Sequence, residues 1–182
     1  MTLSRLTQLF KYGMCLVGVS SLLGCTPTLN WRQVQSSQNH VQVLMPCKPE
    51  QATRSVTLRV NSKDVSTQLH MQACEAGKMN FALAELAVPP TASTKELRDA
   101  WRLASLASIQ ADESQVVAGA GPIQGARAAA TLVTRVINNT HQAQFVWFIT
   151  DQTIYQAAVY AKPNDKAFAE AAETYMSGIQ WP

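Results

Sequence analysis

Val65, Thr67, Leu69, Met71 and Ala73 alternate with Ser66, Gln68, His70 and Gln72, and this unbroken period of two constrains the fold more than any other feature of the chain. Residues two apart share one face of a strand, so the segment offers one face to a core and the other to a polar environment. Turn-like stretches flank it, Asn61-Ser62-Lys63-Asp64 before and Glu75-Ala76-Gly77-Lys78 after. Val56, Leu58 and Val60 on one side, and Met79, Phe81 and Leu83 on the other, continue the alternation. Connections this short join antiparallel neighbours, because a parallel crossover needs a dozen or more residues. Val41, Val43 and Met45 predict an earlier strand that turns through residues 49–52 into a hairpin with residues 56–60. The expectation is four antiparallel strands with one buried face.

Pro89-Pro90 ends this sheet segment. Ser93 stands three residues before Glu96, the spacing of a capping box, and Leu97, Trp101 and Ala104 follow at helical intervals, which predicts a helix ending near Gln110. Gly119, Gly121, Pro122 and Gly125 make a flexible connection. Residues 126–137 suit either strand or helix, and the later Thr and Val residues favour strand. Asn138-Asn139 reads as a turn. Phe145, Trp147 and Ile149 alternate with Val146 and Phe148, so that strand is apolar on both faces and belongs in the middle of a covered sheet. Residues 154–161 return as its neighbour. Pro163-Asn164 is expected to open the last helix, with Phe168, Ala172, Tyr175, Met176 and Ile179 as its apolar stripe and Gly178 as its C-terminal cap. The fold class that results is α+β, an antiparallel β-sheet flanked by helices.

The N-terminus carries a different signal. Arg5 and Lys11 precede an uncharged, mostly apolar run over residues 12–23, too short to span a membrane but suited to an export signal. Leu22-Leu23-Gly24-Cys25 closes the run and resembles the lipobox of bacterial lipoproteins. That resemblance implies that residues 1–24 are a signal peptide and that Cys25 is the lipidation site, carrying diacylglycerol and an amino-terminal acyl chain. An ordinary cleaved signal or a retained anchor is the competing reading. Residues 25–39, polar and containing Pro27, are then a lipidated tether, on which Trp31 is the residue suited to dock onto the fold, and residues 40–182 are a single α+β domain. Thr26 after the cysteine resembles the sorting pattern for the outer membrane, which implies an envelope lipoprotein facing the periplasm and partnered with the membrane through its lipid.

Removing residues 1–24 leaves 158 of the 182 residues, enough for one domain with a sizeable core. It also removes two cations, leaving 13 Lys and Arg against 12 Asp and Glu, so no basic surface for nucleic acid is expected. Cys47 and Cys74 are then the only cysteine pair in the domain. Outside the cytoplasm two such thiols favour a disulfide over a pair of buried free thiols. Their parities differ along regular strands, an objection that a break at Pro46 can remove.

The order of strands, central helix, strands and terminal helix, with Val43-Leu44-Met45-Pro46-Cys47-Lys48-Pro49 and Thr153-Ile154-Tyr155-Gln156-Ala157-Ala158-Val159, resembles the PsbP-like domains over roughly residues 40–180. In that group a Phe-Pro-x-x-Pro-like motif ends the first strand, and here Met45 replaces the aromatic. The resemblance implies an α/β/α sandwich acting as a binding or assembly module. It carries no catalytic residue over.

Residue chemistry points the same way. His40, His70 and His141 stand in no nucleophile pattern and there is no Gly-x-Ser-x-Gly elbow, so surface or hydrogen-bonded histidine is the plainer reading. No pair among these histidines and Cys47 or Cys74 has metal-ligand spacing, and His70 and Cys74 lie about 13 Å apart along one strand. No metal or other cofactor is expected. Gly119-Ala120-Gly121-Pro122-Ile123-Gln124-Gly125 fits neither phosphate-loop pattern, and Pro122 lacks an amide donor. Trp101, Trp147, Tyr155 and Tyr160 read as core first and cavity lining second. The sequence therefore predicts a non-catalytic module for an envelope protein or small ligand, with contacts near residues 118–125 and the end of the sheet. A small lipid-anchored hydrolase is the alternative.

Overall fold

The computed structural model describes residues 28–37, 41–117, 132–150 and 152–180. Its elements run β1 (Arg32–Gln35), β2 (Gln42–Met45), β3 (Glu50–Val60), β4 (Lys63–Ala76), β5 (Met79–Ala87), α1 (Thr94–Ser108), a 3-10 turn (Glu113–Gln115), β6 (Val116–Val117), β7 (Leu132–Ile137), β8 (Gln142–Thr150), β9 (Thr153–Ala161) and α2 (Phe168–Ser177). Seven strands form one sheet in the order β3-β4-β5-β9-β8-β7-β6, and β1 and β2 form a separate pair. Every described pairing is antiparallel. The molecule is α+β, a sheet flanked by helices. Among the described residues no helix is long and apolar enough to cross a membrane.

The alternation read in the sequence sorts side chains to two faces. One face packs Leu58, Leu69, Leu86, Phe145 and Trp147 beneath α1, through Leu97, Trp101 and Leu106. The other packs Phe81, Leu83, Val146, Phe148 and Val159 beneath β2 and α2, through Val43, Met45, Phe168, Ala172 and Tyr175. β8 and β9 are buried on both faces, as the unbroken apolar run of β8 requires. The Ser93 side chain accepts from the Glu96 amide at the start of α1.

Several expectations change. β2 does not form a hairpin with β3; it pairs with β1, and residues 50–52 begin β3 instead of turning. Pro46 and Pro49 lack the amide donors a continuous ladder needs, so the chain leaves the small pair there and enters the main sheet. The expected tether over residues 25–39 is folded where it is described: β1 lies inside it, and Trp31 packs edge-on against Phe81 at 5.8 Å. β1 has three exposed residues out of four, so it lacks the apolar pattern that announces a strand.

Ala104 is exposed and Ser105 continues the buried stripe of α1. α2 starts at Phe168, because Asn164 takes a left-handed φ of 62° and holds the preceding residues in a turn. Gly178 ends α2 with φ −79°, so its value lies in space: a Cβ there would stand 2.7 Å from the Leu44 Cβ.

Cys47 and Cys74 are joined by a disulfide with Cα atoms 6.0 Å apart. Their parity conflict disappears because they occupy different layers. Cys74 shares the face of Phe81 beneath the β1-β2 pair, and Cys47 follows β2 in the cover above it.

Candidate functional site

One end of the main sheet gathers the β4-β5 turn, the β7-β8 turn, the end of β9 and the C-terminus of α1 around an open cleft of about 700 Å³. The β4-β5 turn contributes Glu75, Lys78 and Asn80. Gly77 and Lys78 both have left-handed φ, 59° and 64°, as a tight two-residue hairpin turn demands. Glycine adopts that conformation freely, whereas Lys78 carries a Cβ into it at a cost of about 1 kcal/mol.

The β7-β8 turn contributes Thr140 and His141 and is organised by Asn138. Its side-chain oxygen accepts from the Thr140 amide at 2.9 Å, the Thr140 hydroxyl at 2.9 Å and the His141 amide at 2.7 Å. Its amide nitrogen donates to the Ile109 carbonyl at 3.1 Å and so fastens the turn to α1. The Thr140 hydroxyl also lies 3.0 Å from His141 Nδ1, so the ring is held by the same turn.

α1 closes through Gln110 at φ 55°, with Ala111 N donating to the Leu106 carbonyl and Gln110 N to that of Ala107. This closure sets the buried side chain of Ile109 against the cleft. β9 supplies Tyr160, Ala161 and Lys162. Gln142 holds the chain beyond β9 by donating to the Lys162 and Asp165 carbonyls at 2.9 and 3.0 Å. The Tyr160 ring meets Phe145 edge-on at 5.3 Å. Burial pushes its phenol up to about 12, so the hydroxyl remains a proton donor throughout the physiological range.

Charge distinguishes this cleft from a second, of about 370 Å³, lined by Arg98, Asp99, Arg102, Leu103, Glu113 and Leu132. There Arg102 donates to both oxygens of Glu113 and Arg98 donates to Asp99. The Arg102 bonds hold Glu113 below the usual carboxylate range. None of the described ion pairs involves Lys78, Lys162 or Glu75 in the larger cleft.

Of the residues singled out in the sequence, Tyr160 and His141 line the larger cleft, while Trp101, Trp147 and Tyr155 are core. Cys25, His40 and residues 118–125 lie outside the described residues. His70 faces Glu85 across β4 and β5, yet no hydrogen bond joins them: His70 Nδ1 contacts the Thr53 hydroxyl at 2.9 Å, and Glu85 accepts from Ser37 N at 2.6 Å and Ser37 Oγ at 2.9 Å. No base thus connects to both a hydroxyl and an orienting carboxylate there. Among the described residues no group of three or more His, Cys, Asp or Glu side chains could hold a metal ion. Lys78, Asn80, Asn138, Thr140 and Lys162 escaped the sequence reading because their proximity depends on strand order, although each sits at a turn or strand end the pattern had marked. No known family, curated protein or solved structure matches the chain.

Proposed function

We propose that the chain is an envelope lipoprotein, anchored through Cys25 and facing the periplasm, whose domain is a non-catalytic binding or assembly module. The export-like segment ending at Cys25 supports the anchor, and the PsbP-like order of elements supports the module. The larger cleft is the observation that carries the binding role. It is set on rigid strand ends and an anchored turn, and among the described residues its cations lack carboxylate partners.

A photo-crosslinking side chain placed at Asn80 in intact cells tests this reading, with the exposed Leu103 on α1 as the control position. The reading expects the same envelope component to be captured repeatedly from Asn80 and not from Leu103. Turnover of an ester, peptide or glycan substrate that disappears in His70→Ala or His141→Ala would replace it with the hydrolase alternative.

A further inference from the structure

We infer that the larger cleft binds a small ligand through a terminal phosphate monoester, an assignment that rests on the binding-module reading and specifies its ligand. The cleft is rich in donors. Lys78 and Lys162 bring two ammonium groups from different elements, without ion-pair partners among the described residues. Tyr160 adds a hydroxyl with no hydrogen bond to another described residue, and Asn80 adds an amide.

The geometry of supply favours phosphate over carboxylate. The donors come from the β4-β5 turn on one side and the end of β9 on another, with the β7-β8 turn alongside. A tetrahedral anion with three terminal oxygens can use donors arriving from several directions, whereas a planar carboxylate is best met by the two-pronged fork of arginine. Among the described residues no arginine lines this cleft, and lysine suits phosphate as a point charge. Two lysines against one glutamate, Glu75, leave the described lining with a net positive charge.

The same chemistry is available from a free phosphate ester and from a lipid whose headgroup ends in phosphate. The test therefore has two arms on the full chain in detergent or reconstituted in bilayers. In the first, amide shifts of residues 75–80, 138–142 and 160–162 are followed by NMR during titration with inorganic phosphate and with glycerol phosphate. In the second, crosslinking to phosphatidic acid vesicles is compared with phosphatidylcholine vesicles. Saturable shifts at the cleft assign a soluble ester, and contact with phosphatidic acid alone assigns the lipid.

In either arm Lys78→Asn combined with Lys162→Gln should weaken binding at least about tenfold. The melting temperature should hold or rise, since both lysines are exposed and Asn suits the turn better. Undiminished binding by the double variant, or no binding in either arm at millimolar phosphate, would overturn the inference. If that happens while Asn80 still captures its envelope component, the module stands and only its ligand class is wrong; loss of both results removes the module as well.

Discussion

The two faces of the central sheet are sealed by opposite means. Beneath α1, a single helix of 15 residues lays Leu97, Trp101, Leu106 and Ile109 on the strands, with side-chain hydrogen bonds from Gln156 of β9 to Ser105 at 2.7 Å, from Arg102 to Thr134 of β7 at 3.1 Å and from Asn138 to the Ile109 carbonyl. The opposite cover is assembled from two pieces that are distant in sequence, the β1-β2 pair and α2. It is tied down by the Cys47–Cys74 disulfide, by Gln72 donating to the Gln35 carbonyl, by Ser37 on Glu85 and by the Tyr175 hydroxyl donating to the Ala82 carbonyl. A helix that carries its own apolar stripe and cap docks as one piece, without a covalent tie. A composite cover buries less per segment, so directional and covalent ties do more of the holding.

The largest test of this contrast is Phe81→Ala. Phe81 is fully buried and meets Trp31 before β1 and Tyr175 of α2 edge-on, at 5.8 and 5.6 Å, so one ring joins the composite cover to the sheet. Its loss should cost about 3–5 kcal/mol in chemical denaturation. A cost below about 1 kcal/mol would mean that the cover holds without it.

Next in size is removal of the disulfide by Cys47→Ser with Cys74→Ser. The bridge spans a sequence separation of 27, for which chain entropy predicts a loss of about 3–4 kcal/mol. The contrast is sharper in hydrogen exchange than in global stability. Amides of β1 and β2 should exchange faster at protein stabilities where α1 remains protected, and equal acceleration on both faces would break the distinction between the covers.

Ser93→Ala is the smallest change. It removes the acceptor for the Glu96 amide and should cost about 1 kcal/mol, with faster exchange confined to the first turn of α1. Exchange spreading into β1 and β2 would show that the two covers are coupled through the sheet.

Signals confined to a few neighbouring residues were enough for much of this fold. The alternation from Val65 to Ala73 marked β4, the two-sided apolar run marked β8 as internal, and Ser93 with Leu97 and Trp101 marked α1. Cys47 and Cys74 are the cysteine pair that the count leaves in the domain, and the structure joins them. Each of these readings depends on local periodicity, local capping or a count of thiols, and those are properties of the chain itself.

Tertiary structure decided which strands meet. A strand's edge bonds to any backbone of suitable register, so the partner of β2 is not encoded by its own alternation, and β1 is too exposed to advertise itself as that partner. The cleft depends on the same non-local choice. Lys78, His141 and Lys162 share one end of the molecule because β5, β9, β8 and β7 lie side by side in that order, with alternating directions. Turn residues could be read one at a time from the sequence, but their distances apart are set by strand order and register, which the packing of the whole sheet against its two covers selects.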